Sequence, residues 1–126
     1  MIYDASTILV VEDDFFNAEY LKEILLKTSY RVLFVRTGEE ALVEIEKQTI
    51  DLILMDVRLP GINGLETTKR AKQAQPSIKI IVQTAFATNL DKENAFEAGC
   101  DGYISKPIFK NALLQLIESV LHPSAH

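Results

Sequence analysis

Tryptophan is absent from this chain and cysteine occurs once, at Cys100. A lone thiol excludes a disulfide framework, and with no second cysteine to resolve it Cys100 reads as a small packing residue rather than a redox centre. Long hydrophobic runs are also missing, since none approaches the roughly 18 apolar residues of a membrane span. The opening "MIYDAST" has neither a basic segment nor a long apolar stretch, so it does not read as an export signal. The expected setting is the cytoplasm, with no membrane contact by this domain. Positive charge is thin and dispersed. Thirteen Lys and Arg stand against 18 Asp and Glu, for a formal net charge of −5. Without a basic cluster to grip a phosphate backbone, nucleic acid is not an expected partner. The two histidines, His122 and His126, make no metal spacing with anything nearby.

What is present is a regular alternation of two periods. Short apolar runs rich in β-branched residues occur at "TILVV", "RVLFV", "LILM", "KIIVQT" and "GYIS". Between them lie helical patterns, over about 15–28, 39–47, 65–73, 90–98 and 110–121, with apolar residues recurring at spacings of three and four. The few glycines and prolines fall at the junctions: Thr37-Gly38, Asn63-Gly64, Pro76, Gly99 and Pro107. At 126 residues, 48% of them hydrophobic, the chain is long enough for one core and too short for two ordinary ones. It is read as a single domain over 1–126, with a core of about 7–121 and short terminal extensions at 1–6 and 122–126.

Five near-continuous apolar strands alternating with helices predict an α/β three-layer sandwich around a parallel sheet buried on both faces. Right-handed crossovers put helices on both sides only if the chain reverses direction once. For five strands the expected solution is a flavodoxin-like (βα)5 fold of strand order 2-1-3-4-5. All strands then end on one edge, which gathers Glu12-Asp13-Asp14, Asp56, Thr84 and Lys106. Asp13 and Asp56 should face each other across the crevice where the order reverses. Each piece has a plain reading of its own. The three acids suit a helix N-cap, Asp56 suits a turn, and Thr84 and Lys106 are ordinary strand-end and loop residues. One phosphoryl site accounts for all of them together: carboxylates to recruit a hard cation, Mg²⁺ (or Mn²⁺), a carboxylate nucleophile, and a hydroxyl and an ammonium for phosphoryl oxygens.

"ILVVEDD", "LILMDVRLPGINGLE", "IVQTAFA" and "GYISKP" resemble, in order and spacing, the successive motifs of response-regulator receiver domains of two-component signalling. The resemblance covers about 7–121. It implies Asp56 as the phosphoacceptor, Asp13 as the acidic metal ligand with Glu12 as the outer-shell acid, and the Arg58 backbone carbonyl as a further metal ligand. Thr84 becomes the switch hydroxyl, Lys106 the lysine of the site, and Tyr103 the aromatic whose rotamer follows Thr84. A cis Lys106-Pro107 bond is implied too. Arg58 and Phe86 are expected over the path of the hydrolytic water. Such a domain is no conventional enzyme: it catalyses its own aspartyl phosphorylation and dephosphorylation, and switches the face formed by the fourth helix, fifth strand and fifth helix, through which a homodimer is also possible.

Three rival readings fit less well. A haloacid-dehalogenase-type phosphatase carries a second Asp two residues after its nucleophile, where this chain has Arg58. A flavodoxin-type flavin module wants a Ser/Thr-rich phosphate loop after the first strand, where three acids would repel phosphate. A non-phosphorylated interaction module usually lacks one of the acids or the lysine, and none is lost here. "VVEDDFFN" and "AGCDGYISKPI" look most like receivers of hybrid sensor histidine kinases, with a stand-alone single-domain regulator as the alternative. The expected partner is a histidine kinase or histidine phosphotransfer domain. Its docking residues are Phe16, Tyr20, Asp14 and Ile108, on the first helix and the loop after the fifth strand. At about 100° per residue, Ala18, Leu21 and Leu25 define the helix face turned to the sheet, leaving Phe16 and Tyr20 exposed. The alternative is that Phe16 folds back over the loop near Pro107 and Ile108.

Overall fold

The computed structural model describes residues 5–85 and 88–123. Five strands, β1 (Thr7–Val11), β2 (Arg31–Val35), β3 (Leu52–Asp56), β4 (Lys79–Thr84) and β5 (Gly102–Ser105), alternate with five helices. The helices are α1 (Phe15–Leu25), α2 (Gly38–Lys47), α3 (Gly64–Ala74), α4 (Asn89–Glu97) and α5 (Lys110–Leu121). All strand pairings are parallel and the order is β2-β1-β3-β4-β5, as the pattern predicts.

Alternation along each strand divides the interior into two cores. Leu9, Val11, Ile53, Met55, Ile80 and Val82 point to one face, where they meet Ala41 and Ile45 of α2, Ala71 of α3 and Ala95 of α4. Ile8, Val10, Leu52, Leu54 and Ile81 point to the other, against Leu21, Ile24 and Leu25 of α1 and Leu113, Ile117 and Val120 of α5. β1 and β3 are adjacent in register, Val11 opposite Met55. The chain leaves them in opposite directions, which opens the crevice at their C-terminal ends.

Local chemistry sets the helix starts. Asp14, Thr37, Asn63 and Thr88 each accept a hydrogen bond from a first-turn amide, and Thr37 with Glu40 forms a capping box. α1 ends at Leu25, three residues short of the expected boundary, because both the amide and the hydroxyl of Thr28 turn back to the Leu25 carbonyl and close the last turn. Its buried stripe is Leu21, Ile24 and Leu25, with Ala18 only half-buried, so the face sits slightly round from the expected one. Gly64 admits no side chain: a Cβ there would lie 1.9 Å from the Asp56 carbonyl oxygen. Gly61 has φ +75°, and a Cβ would meet Glu39 at 2.6 Å. Hydrogen bonds hold loop 57–63 in place, from the Gly64 amide to the Val57 carbonyl at 2.8 Å and from the Ile62 amide to the Glu39 carboxylate at 3.3 Å.

Lys106-Pro107 is cis. Cys100 is buried, and desolvation together with the Asp101 charge pushes its thiol up to about 11, which suits packing and not nucleophilic chemistry. Among the described residues no helix is long and apolar enough to cross a membrane.

Candidate phosphoacceptor site

Asp56 closes β3 at the crevice and is only 5% exposed. Its Oδ1 accepts the Arg58 amide at 3.1 Å and its Oδ2 lies 3.2 Å from Lys106 Nζ. The ammonium is also 3.6 Å from Oε1 of Glu12, which is 2% exposed. One cation therefore serves two buried acids. Glu12 is further held by the Asp14 amide at 3.0 Å on Oε2 and by the Asn17 side-chain amide on Oε1. Burial, and a hydrogen bond shared with Asp56, push the Glu12 acid up to about 7, against the pull of Asn17 and the Asp14 amide.

Asp13 stands apart from that pair. It is partly exposed at the rim, and its Oδ1 meets the exposed Arg36 guanidinium at 3.3 Å. Among the described residues no three acids converge as a ready metal cage. A magnesium ion does not need one, because it keeps several waters and takes only one or two carboxylates. Two buried carboxylates pressed together and a third at the rim make an oxygen donor set that fits such a hard cation.

Thr84 ends β4 buried, and its carbonyl accepts the Lys106 amide at 2.7 Å, which ties the lysine to the strand end. Tyr103 is half-buried against the core beneath α2, α3 and α4 and shares a hydrogen bond with the Thr84 side chain. Burial and the nearby Asp91 charge push its phenol up, while that bond pulls it down. The structure thus brings Glu12, Asp56, Lys106, Thr84 and Tyr103 into one connected cluster.

The profile of the response regulator receiver domain family matches residues 8–118. This chain belongs to that family. The receiver domain is 37% identical over 117 residues to the polar-differentiation response regulator DivK of Brucella ovis, covering 91% of this chain and 95% of that one. A CheY-like receiver from Methanospirillum hungatei JF-1 superposes with a TM-score of 0.89 at 32% identity, over 95% of this chain and 96% of that one. The receiver domain of a sensor histidine kinase from Pseudomonas aeruginosa PAO1, solved with a magnesium ion coordinated in its active-site cleft, superposes with a TM-score of 0.85 at 34% identity, over 94% and 98%.

The expected docking residues divide. Phe16 is 80% exposed and stacks edge-on against exposed Phe15 at 5.5 Å, so it does not fold back as the alternative reading had it. Tyr20 is exposed, yet its hydroxyl donates to the Ile108 carbonyl at 2.6 Å and clasps the β5–α5 loop to α1. Asp14 is exposed, but its carboxylate accepts the Asn17 amide as the α1 cap. Ile108 is the correction: at 4% exposure its side chain lies in the core under α1 and α5, because the loop turns it inward beneath Tyr20. The large apolar side chain that this loop exposes is the next one, Phe109. Phe86 lies outside the described residues.

Sequence reasoning missed three contributors. Arg36 pairs with Asp13, Glu39 accepts the Ile62 amide at 3.3 Å and steadies loop 57–63, and Gln83 is buried beside Asn17. Of these only Gln83 leaves a signal in the sequence: it is a polar break in the apolar run "KIIVQT".

Proposed function

We propose that this receiver accepts a phosphoryl group on Asp56 from the phosphohistidine of a histidine kinase or a histidine phosphotransfer domain. The observation that carries this reading is the buried acid pair Glu12 and Asp56 sharing Lys106 at the end of β3. Asp56 supplies the nucleophile: a carboxylate oxygen bonds to phosphorus as the imidazole nitrogen leaves and takes up a proton. Lys106, within 3.2 Å of the acceptor, meets the charge that spreads over the equatorial oxygens in transfer. Asp13, Asp56 and the Arg58 carbonyl would hold Mg²⁺ or Mn²⁺, with Glu12 behind them. When bound, the cation neutralises the crowded carboxylates and the phosphoryl oxygens.

The phosphoryl group adds close to two negative charges at this edge. The Thr84 hydroxyl then donates to a phosphoryl oxygen and Tyr103 follows it, biasing the face formed by α4, β5 and α5. Its helix α4 carries exposed Leu90 and Phe96, which suits a downstream partner or a second copy of the domain. A groove of about 560 Å³ lined by Asn89, Lys92, Glu93, Phe96 and Glu97 runs along α4, away from the acid crevice. The crevice needs only to admit a phosphoryl group.

The motif wording points to a hybrid sensor kinase as the setting. A stand-alone regulator is the second reading, supported by the likeness to DivK across 95% of that protein's length. The test of the shared core is direct. With Mg²⁺ and acetyl phosphate the chain should gain one acid-labile phosphoryl group, and Asp56→Asn should gain none. Full phosphorylation of Asp56→Asn would sink the assignment.

A further inference from the structure

Gln83 interrupts β4, whose neighbouring residues Ile80, Ile81 and Val82 are all apolar and buried, and it is itself fully buried. In register it lies opposite Asp56 on β3 and Ile104 on β5. Alternation puts its side chain on the α1 and α5 side of the sheet, level with the acid pair. There its Oε1 accepts from Asn17 Nδ2 at 3.2 Å, and the same Nδ2 donates to Glu12 Oε1.

Those bonds determine which way each amide faces. Both Glu12 oxygens already face donors, Oε2 the Asp14 amide at 3.0 Å and Oε1 the Lys106 ammonium at 3.6 Å, so Oε1 acts as an acceptor and Asn17 must turn its NH₂ toward it. Gln83 must then offer its carbonyl oxygen to Asn17, since two NH₂ groups would oppose each other. Its own Nε2 is left over, buried and without a hydrogen-bond partner among the described residues. A buried donor left unmade destabilises a fold, and an aliphatic side chain at this strand position would avoid the loss. Packing alone does not account for a glutamine here.

We infer that Gln83 and Asn17 are positioning residues for cation binding at this site: Gln83 aligns the Asn17 amide, Asn17 holds the Glu12 carboxylate at the crevice, and Gln83 Nε2 is a donor for a water that enters with the cation. The inference rests on the metal-dependent reading above. Neither residue touches the phosphoryl group. Groups that orient a metal site from behind its ligands commonly alter affinity by tenfold or more when removed.

The test uses the full chain with Gln83→Met, which keeps an unbranched side chain of similar length without the amide, and Asn17→Ala. Mg²⁺ titrations followed through the amide resonances of Asp56 and Arg58 give the dissociation constant, and melting in chelator gives the metal-free stability. Gln83→Met should melt at or above the wild-type temperature in chelator while binding Mg²⁺ about tenfold more weakly. Phosphorylation by acetyl phosphate should recover towards the wild-type rate at saturating Mg²⁺. Asn17→Ala should weaken binding as well, and the double variant should be no weaker than the weaker single one, because both act through Glu12. Should Gln83→Met not fold, Asn17→Ala, half-buried near the crevice rim, carries the test. Wild-type Mg²⁺ affinity in both folded variants, or losses that simply add, would overturn the inference and leave the proposed function standing. A wild-type chain that neither binds Mg²⁺ nor accepts a phosphoryl group would overturn both.

Discussion

Replacing Lys106 with methionine leaves two buried acids, Glu12 and Asp56, without the ammonium that lies 3.6 Å and 3.2 Å from them. At an effective dielectric constant of about 20, each contact is worth roughly 5 kcal/mol before the desolvation of the lysine is subtracted. Removing one partner of a buried ion pair costs about 3–5 kcal/mol in practice. The Lys106 side chain is 26% exposed, so water screens part of that. The expected loss in metal-free protein is about 2–3 kcal/mol at a pH near 8, or roughly 10 °C in melting temperature for a domain of this size.

The loss should depend on pH, and its sign follows from Glu12. Its acid, raised from 4.5 to about 7, binds its proton more tightly in the folded chain than in the unfolded one. That contribution to stability is fully present below 4.5 and is lost as the pH rises through about 7. In acid, then, one of the two charges facing position 106 is already neutral. At a pH of about 5.5 Lys106→Met should cost only about 1 kcal/mol. Urea denaturation of both proteins in chelator at the two pH values measures this. An equal cost at both would refute the view that Lys106 offsets a Glu12 charge, and no cost at either would refute the buried pair itself.

Asp13→Ala should abolish phosphorylation by acetyl phosphate while shifting stability by less than about 1 kcal/mol, because its pair with Arg36 is exposed and screened; unchanged phosphorylation would remove Asp13 from the metal set. Phe16→Ala should slow transfer from a cognate phosphohistidine about tenfold and leave acetyl phosphate unaffected, as expected of an exposed aromatic anchor. Equal loss with both donors would make Phe16 structural. Gly64→Ala should lower stability by about 2–3 kcal/mol in urea denaturation, since its Cβ would press on the Asp56 carbonyl. Full stability would show that α3 can shift away from β3.

Much of this molecule follows from the chain alone. The five apolar runs and their punctuation determine the element order, and the rules for parallel crossovers determine the strand order and the edge where Asp56, Thr84 and Lys106 meet. All five strands begin where the pattern places them, and only β3 extends one residue further, to include Asp56. Periodicity of this kind is local, so local sequence is enough to read it. The choice of hydrogen-bond partner is not local. Tyr20 reaches a carbonyl 88 residues away and Asn17 an amide 66 residues away. Asp13 turns to Arg36 at the end of β2 while its neighbour Glu12 turns to Asp56. A helical wheel assigns Tyr20 to an exposed face, but it cannot say that the β5–α5 loop passes within reach of the phenol and buries Ile108 beneath it. Those outcomes depend on how far α1 lies from the loop once Leu21, Ile24 and Leu25 have packed against the sheet, and only the assembled core sets that distance.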